Sequence, residues 1–175
     1  MITMEIMSDR WQEIYKKNLY LDEIFNEKYK DDPELFNKNC IEFLVELGEF
    51  INETKVFKYW SIKKPNKEAI LEEFADAITM TLYFYGVLNI KEVRIEETFQ
   101  NKSDNILTLL NTIYLDGTKL MYNLDENLIN RIFTNLIGIS KMLDLEENKE
   151  KPKIEIDEDK NITIYYKFKS LENGY

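Results

Sequence analysis

Apolar residues recur three or four positions apart over most of this chain, which is the spacing of helices that bury one face. The pattern predicts helices over residues 9–29, 32–54, 67–85, 103–115 and 125–145. Each predicted helix carries large apolar residues on the face that this spacing defines. The sequence therefore favours a bundle of helices over a sheet protein.

Several predicted helix ends carry residues that commonly occupy such positions. Asp32 and Pro33 suit a helix start, since an Asp side chain accepts backbone N–H groups and proline fits the first helical position. We expect Asn66 to cap the third helix and Gly86 to end it. Gly48 lies inside the second helix, where glycine costs ~1 kcal/mol relative to alanine. We expect it to permit the close approach of a backbone, a metal site or a packed side chain.

The C-terminal stretch follows a different period. Residues 154–156 and 162–168 alternate apolar and polar side chains, and the polar residues 157–161 separate them. This alternation predicts a β-hairpin within residues 153–168. The whole chain, residues 1–175, is long enough for one core. We expect a single all-α domain, a helical bundle with a short C-terminal hairpin.

Composition excludes several classes of function. Acidic residues outnumber basic ones by 33 to 23, and the net charge of −10 argues against nucleic acid or an anionic membrane as a partner. The chain has no histidine, which excludes Ser-His and Cys-His catalysis and histidine-ligated zinc. The single cysteine, Cys40, lies in an apolar helix and is expected in the core. No stretch resembles a transmembrane span or the apolar part of a signal peptide, so we expect a cytoplasmic protein.

Two predicted helices place carboxylates on one face. The second helix carries four, at steps of 4, 3 and 4, and the third carries two, three positions apart. They are Glu42, Glu46, Glu49 and Glu53, then Glu73 and Asp76. Their neighbours are mostly apolar, and burying an ionised carboxylate is costly unless it is paired or binds a metal. Since Mg²⁺ prefers carboxylate oxygens, the pattern favours a metal site. A solvated acidic face is the alternative for the second helix.

The segment between these helices is the densest basic region of the chain. Its lysines, Lys55, Lys58, Lys63, Lys64 and Lys67, surround Tyr59 and Trp60. Lysines beside an acidic metal site suit a triphosphate, because metal and ammonium groups together neutralise its charge. The alternative is a solvated loop in which Trp60 packs into the core as an anchor.

The acidic motifs and this loop together match a known family. Glu46-Leu47-Gly48-Glu49 and Glu73-Phe74-Ala75-Asp76 enclose a spacer of 23 residues, which contains Asn52-Glu53-Thr54-Lys55 and Phe57-Lys58-Tyr59-Trp60-Ser61. This order resembles the all-α nucleoside triphosphate pyrophosphatases, the MazG-like superfamily. It resembles most closely the dimeric dUTPases of low-GC Gram-positive bacteria and their phages. The good match covers about a fifth of the chain.

The resemblance implies roles for the acidic residues. Glu46, Glu49, Glu73 and Asp76 would hold two or three Mg²⁺ ions, with Mn²⁺ as an alternative. Glu46 would accept the proton of the attacking water, and Glu49 is the second candidate for that role. Bound metal would clamp the phosphates and lower the pKa of the water.

The resemblance also implies substrate-binding residues. Lys58 and Trp60 would contact the nucleotide, with Lys55 beside them, and Thr79 continues the face of Asp76. The family reads the uracil edge with a Gln-x-x-Leu-Asp-type motif in its first helix. Here the nearest match runs from Asn18 to Asp22, and asparagine has the shorter reach. An exposed helix position is the alternative interpretation of Asn18.

We therefore expect a Mg²⁺-dependent homodimeric enzyme that hydrolyses dUTP to dUMP and pyrophosphate. The alternative is the same hydrolysis of dCTP or of a nucleotide with a modified base. Two departures from the family favour keeping it: the asparagine at position 18 and the lack of the family's C-terminal phosphate-binding residues. A non-catalytic helical interaction protein is a third hypothesis. The four carboxylates of the two motifs argue against it, since buried acids without metal are costly.

Overall fold

A computed structural model of the chain describes residues 4–95, 105–147, 153–156, 162–165 and 168–169. The five helices are α1 Met4–Tyr29, α2 Leu35–Thr54, α3 Lys67–Val87, α4 Ile106–Gly117 and α5 Glu126–Met142. They form an all-α bundle, as the periodicity predicts. Among the described residues, no helix combines the length and apolar character that crossing a bilayer requires.

The strands lie in the C-terminal part of the chain and are short. They are β1 Glu146–Glu147, β2 Lys153–Ile156, β3 Ile162–Tyr165 and β4 Phe168–Lys169. β2 pairs antiparallel with β3, with Ile154 opposite Ile164, as the alternation predicts. β1 pairs antiparallel with β4. The predicted turn, residues 157–161, lies outside the described residues.

The third helix is the centre of the bundle and contacts α1, α2 and α5. Ten of its 21 residues are buried, because apolar side chains occupy much of its circumference. Aromatic side chains link it to its neighbours: the ring centroids of Phe50 and Phe74 lie 5.6 Å apart, and those of Tyr85 and Phe133 lie 5.9 Å apart. The Tyr85 hydroxyl donates a hydrogen bond of 2.6 Å to Asn130 Oδ1, which satisfies both groups in the interior. α3 is thereby fixed between α2 and α5.

An ion pair between a buried carboxylate and an exposed arginine joins the fourth and fifth helices. Asp116, whose side chain is 5% exposed, accepts two hydrogen bonds of 3.0 Å from Arg131 and one of 3.1 Å from Lys119. This two-pronged geometry satisfies both carboxylate oxygens, which a buried acid requires. Cys40 is also buried, as expected, and burial raises the pKa of its thiol to about 11, which leaves it protonated.

The observed helix bounds differ from the predicted ones by up to five residues, the largest difference being α1, which begins at Met4 rather than at residue 9. Two residues predicted to start or end a helix do not do so. Asp32 accepts the N–H of Glu34 at 2.9 Å, but α2 begins at Leu35, because the intervening residues form a turn rather than helix. Gly86 does not end α3, which continues to Val87, and the left-handed residue there is Asn89 with φ of 53°. A Cβ at Gly86 would lie 2.9 Å from Leu19 Cδ2, so the glycine serves close packing against α1.

Other predicted caps are confirmed. Asn66 Oδ1 accepts the N–H of Glu68 at 3.0 Å and so caps α3. The residue inside α2, Gly48, faces a packed side chain: a Cβ there would lie 3.1 Å from the Tyr114 hydroxyl. Gly48 therefore permits the close approach of α4 to α2.

Candidate active site

Three carboxylates from α2 and α3 meet at the junction of these helices. One carboxylate oxygen each of Glu46, Glu49 and Glu73 lies within 4.8 Å of the others. Phe43, Leu47 and Phe50 carry the neighbouring face of α2 into the core, which leaves the acids at the edge of the contact with α3. Glu46 and Glu73 are half-buried and Glu49 is exposed, so the group is open on one side.

The pKa values in this group show that the negative charges are uncompensated. Burial raises the pKa of Glu46 to about 7, helped by the charges of Asp76 and Glu49. Burial likewise raises the pKa of Glu73 to about 7, with Glu49 and Asp76 adding to the effect. No lysine or arginine of the described residues pairs with Glu46, Glu49 or Glu73. Like charges held together without a cation favour protonation, which is the effect seen here.

Asp76 lies beside the group and acts on it through its charge. It does not belong to the set whose oxygens lie within 4.8 Å. Burial raises its pKa, and the charges of Glu72 and Glu49 add to that, although the side chain keeps solvent-accessible surface. Of the four predicted metal ligands, the structure thus brings three together and places the fourth next to them.

This donor set fits a hard divalent cation. It offers carboxylate oxygens only, close enough to share one ion, and open to water on one side. A divalent ion would remove the repulsion that raises the pKa values. The structure therefore supports a metal site here over the alternative of a purely solvated acidic face.

The outer two acids of the α2 series do not join the group. Glu42 is exposed. Glu53 accepts a hydrogen bond of 3.1 Å from Asn52 Nδ2 on one oxygen, and its other oxygen lies 3.5 Å from Lys55 Nζ. The spacing of the four acids is regular, but only the middle two reach the acids of α3.

The loop after α2 presents aromatic side chains to solvent. Trp60 is 63% exposed and packs edge-on against Tyr59 and Phe57, with ring centroids 5.0 Å and 6.1 Å away. The alternative interpretation of Trp60 as a core anchor is wrong, because its neighbours are the other exposed rings of the same loop. The ring is accessible to a ligand.

The lysines of this region divide into two groups. Lys58 Nζ donates to Asn52 Oδ1 at 2.6 Å and lies 5.5 Å from the centre of the Phe57 ring. Lys63 and Lys64 are exposed, whereas Lys67 Nζ donates to the backbone oxygen of Asp144 at 3.3 Å. Lys55 and Lys58 are therefore the lysines held against the end of α2.

Asn18 and Thr79 are adjacent in the structure. Asn18 is 1% exposed, and its Nδ2 donates a hydrogen bond of 3.1 Å to the backbone oxygen of Thr79. The alternative of an exposed Asn18 is therefore wrong. Thr79 lies one turn after Asp76 on α3, so Asn18 contacts the helix face that carries the acidic motif.

Asp22 is a half-buried residue of α1 that faces α3. Burial raises its pKa to about 7, and its Oδ2 is buried without a hydrogen-bond partner. That oxygen would lie 3.7 Å from a Cβ at Gly86. Tyr83 is adjacent: burial raises its pKa, the hydrogen bond with Asn39 lowers it, and the charges of Asp22 and Glu42 raise it. Asp22 therefore lies on the same side of α3 as Tyr83.

Asn52 and Glu72 were not singled out as site residues from the sequence. Asn52 binds Lys58, and Glu72 raises the pKa of Asp76. An amide in the last turn of a helix that precedes a lysine-rich loop is a usable signal for the first. No pattern in the sequence distinguishes Glu72 from other exposed helix residues.

A family model described as dUTPase matches residues 10–161, most of the chain. The chain belongs to the dUTPase family. This is the all-α dimeric dUTPase family of the MazG-like superfamily, as the two acidic motifs suggested, and its members are nucleotide pyrophosphohydrolases. No curated protein and no solved structure matches the chain. The match spans all five helices and the acidic group.

Proposed function

We propose that this enzyme hydrolyses dUTP to dUMP and pyrophosphate and depends on a divalent metal ion, Mg²⁺ in the first place and Mn²⁺ as the alternative. The observation that carries the proposal is the group of Glu46, Glu49 and Glu73 oxygens within 4.8 Å of one another, in a dUTPase-family chain. The raised pKa values of Glu46 and Glu73 support a cation as the missing partner.

We assign the metal to Glu46, Glu49 and Glu73, with Asp76 as the fourth ligand. When bound, such an ion supplies charge neutralisation for the phosphates and lowers the pKa of water. The carboxylates themselves orient and deprotonate the attacking water. We assign the proton to Glu46, the residue that the resemblance to the family implies, and keep Glu49 as the second candidate.

The substrate would extend from the acidic group along α3 and the loop. Lys55 and Lys58 supply positive charge for the phosphates, and the exposed ring of Trp60 offers a stacking surface. Asn18, Asp22 and Thr79 would contact the base and sugar. In support, Asn18 contacts the Thr79 backbone, and Asp22 has a buried oxygen that lacks a hydrogen bond.

A second substrate has a specific observation in its favour. Asn18 stands where the family has glutamine, and its Nδ2 already donates to Thr79. The shorter side chain cannot extend as far toward a base. Hydrolysis of dCTP, or of a triphosphate with a modified base, is therefore the alternative within the same chemistry.

A panel of nucleoside triphosphates tests these proposals. With Mg²⁺, we expect kcat/KM for dUTP to exceed that for dCTP, dTTP and UTP by at least about tenfold. Glu49→Gln should abolish hydrolysis, while Asn37→Ala, at the far end of α2, should not change it. Faster hydrolysis of dCTP or of a modified nucleotide would transfer the assignment to that substrate. Activity unaffected by a chelator would overturn the metal assignment.

We also propose that the enzyme is a homodimer and acts in the cytoplasm. α2 and α4 pack against each other, and both expose apolar residues: Ile41 and Val45 on α2, and Leu107 and Leu115 on α4. Each of these four is between 46% and 54% exposed. Exposed apolar side chains on two contacting helices suit burial against a second copy. Cys40, buried and without a disulfide, is compatible with a reducing compartment.

A further inference from the structure

Four side chains at the C-terminal end of α2 form a continuous polar chain. Lys58 Nζ donates to Asn52 Oδ1 at 2.6 Å, and Asn52 Nδ2 donates to Glu53 Oε1 at 3.1 Å. The other oxygen of Glu53 lies 3.5 Å from Lys55 Nζ. We call Asn52, Glu53, Lys55 and Lys58 the lysine clasp. Two ammonium groups are thereby attached to one turn of helix.

The backbone brings the second lysine back over this turn. Lys55 ends α2 in the left-handed conformation, with φ of 57°. The N–H of Lys58 donates to the Lys55 oxygen at 2.9 Å, and the N–H of Ser61 donates to the Lys58 oxygen at 2.9 Å. These two turns reverse the chain direction, so that Lys58 reaches Asn52 six residues earlier.

The clasp lies one helical turn from the acidic group. Glu53 follows Glu49 by four residues on the same face, which is roughly 6 Å along the axis. A polyphosphate bound through a metal ion at Glu46, Glu49 and Glu73 would therefore meet the clasp next along α2.

The two lysines are held in chemically different ways. Lys55 is paired with a carboxylate, which offsets its charge. Lys58 is held by a neutral carbonyl and by the face of the Phe57 ring, and no carboxylate of the described residues pairs with it. An ammonium has three donor hydrogens, and Asn52 uses one of them. Lys58 is thus oriented while its full charge and its other donors stay available to an anion.

We propose that Asn52 is a positioning residue that holds the Lys58 ammonium, fully charged, for the phosphate chain of the substrate. Glu53 completes the arrangement by fixing the Asn52 amide through its Nδ2, which directs the carbonyl oxygen toward Lys58. The inference rests on the proposed function and deepens it. Preorganisation of this kind lowers the entropic cost of binding, since the flexible lysine is ordered before substrate arrives.

The test compares Asn52→Ala, Asn52→Asp and a matched control. Asn37→Ala is that control, because Asn37 is also on α2 and also donates to a glutamate, Glu34, at 3.1 Å. We expect Asn52→Ala to raise KM for dUTP about tenfold with kcat within about twofold, and Asn37→Ala to change neither. Asn52→Asp should also raise KM, because a carboxylate would keep Lys58 in place but neutralise it.

The Asp variant separates positioning from a purely structural role. If Asn52 merely anchored the loop, an ion pair with Lys58 would preserve the anchor, and Asn52→Asp would keep the wild-type KM. A double-mutant comparison gives a second criterion. In a Lys58→Ala background, Asn52→Ala should cause no further rise in KM, since its effect passes through Lys58. Additive effects, or a wild-type KM in Asn52→Asp, would overturn the proposal.

Binding of inorganic tripolyphosphate distinguishes failure of this inference from failure of the proposed function. Measured by calorimetry with Mg²⁺, its affinity should fall about tenfold in Asn52→Ala. If the wild type hydrolyses no nucleotide but Asn52→Ala binds tripolyphosphate more weakly than the wild type does, the proposed function fails and the positioning role stands. If nucleotides are hydrolysed and tripolyphosphate binds both proteins equally, the positioning role fails alone.

Discussion

At the scale of single residues, the pKa values of the site follow from the burial of several carboxylates close to one another. Glu46 and Glu73 have pKa values of about 7 for one main reason, burial, and their acidic neighbours add to it. Burial and the neighbouring charges together oppose ionisation. A cation is the one partner that relieves all of them at once, so metal binding and protonation compete for the same oxygens.

The raised pKa values predict how stability depends on pH without metal. Glu46 and Glu73 hold protons more tightly when folded, with pKa values of about 7 against the usual 4.5. Their contribution to the free energy of unfolding is therefore present below pH 4.5 and lost as the pH rises through 7. After discounting for solvent screening, we expect a loss of about 1 kcal/mol.

Urea denaturation in a chelator between pH 5 and pH 8 measures this loss. Glu73→Gln should flatten the dependence, because it removes one of the two titrating groups and relieves the other. Identical pH profiles for the wild type and Glu73→Gln would show that these acids titrate normally.

Neutralising a single carboxylate should have opposite effects with and without metal. Without metal, Glu49→Gln should raise stability by about 1 kcal/mol, because it removes repulsion from Glu46 and Glu73. With Mg²⁺, the wild type gains stability through ligand binding and the variant gains less. The order of the two melting temperatures should therefore reverse on addition of Mg²⁺. If both proteins melt alike and ignore Mg²⁺, the metal site is refuted.

At the scale of elements, α2 and α4 approach each other through two glycines. A Cβ at Gly117 of α4 would lie 2.8 Å from Phe43 Cε1 and 3.0 Å from Leu44 Cδ2. A Cβ at Gly48 of α2 would meet only the Tyr114 hydroxyl, at 3.1 Å. The Phe43 ring beside Gly117 is fully buried, whereas the Tyr114 side chain beside Gly48 is half-buried. Tyr114 can therefore move aside more easily than Phe43.

This difference predicts unequal costs for the two alanine substitutions. Gly117→Ala should lower the free energy of unfolding by about 1–3 kcal/mol, since the Phe43 ring has no room to shift. Gly48→Ala should change it by less than about 1 kcal/mol, because the gain in helix propensity offsets a small displacement of Tyr114. Chemical denaturation of both variants measures the two values. Equal effects would mean that α2 and α4 are not in the close contact described.

At the scale of the whole molecule, net charge and surface character act in opposite directions. The charge of −10 keeps copies of the chain apart, whereas the exposed apolar residues of α2 and α4 favour association. We expect dimer formation to prevail over the charge repulsion between copies. Salt screens that repulsion but does not weaken the burial of apolar side chains.

The expected outcome is a mass twice the chain mass of 21.0 kDa by light scattering at micromolar concentration. Val45→Glu or Leu115→Glu should shift it toward the single-chain value, since each places a charge in the proposed interface. Tyr122→Glu, at an exposed position outside α2 and α4, is the control and should leave the mass unchanged. A single-chain mass for the fully active wild type would contradict the dimer.

The sequence by itself determined the helices, the acidic motifs and the family. Apolar spacing placed five helices to within a few residues, since a buried face must repeat with the helical period. The order of Glu46, Glu49, Glu73 and Asp76 with the loop between them identified the family, which the family model confirms. These features are local or are set by spacing along the chain, so they can be read without knowing what packs against what.

The tertiary structure alone decided which candidates share a site. Of the regular acidic series on α2, only Glu46 and Glu49 reach Glu73, while Glu53 is taken up by Asn52 and Lys55. Trp60 is exposed, Asn18 is buried, and Gly86 packs against α1 instead of ending α3. Each outcome depends on which side chains a neighbouring helix brings within reach, and local spacing carries no information about that neighbour.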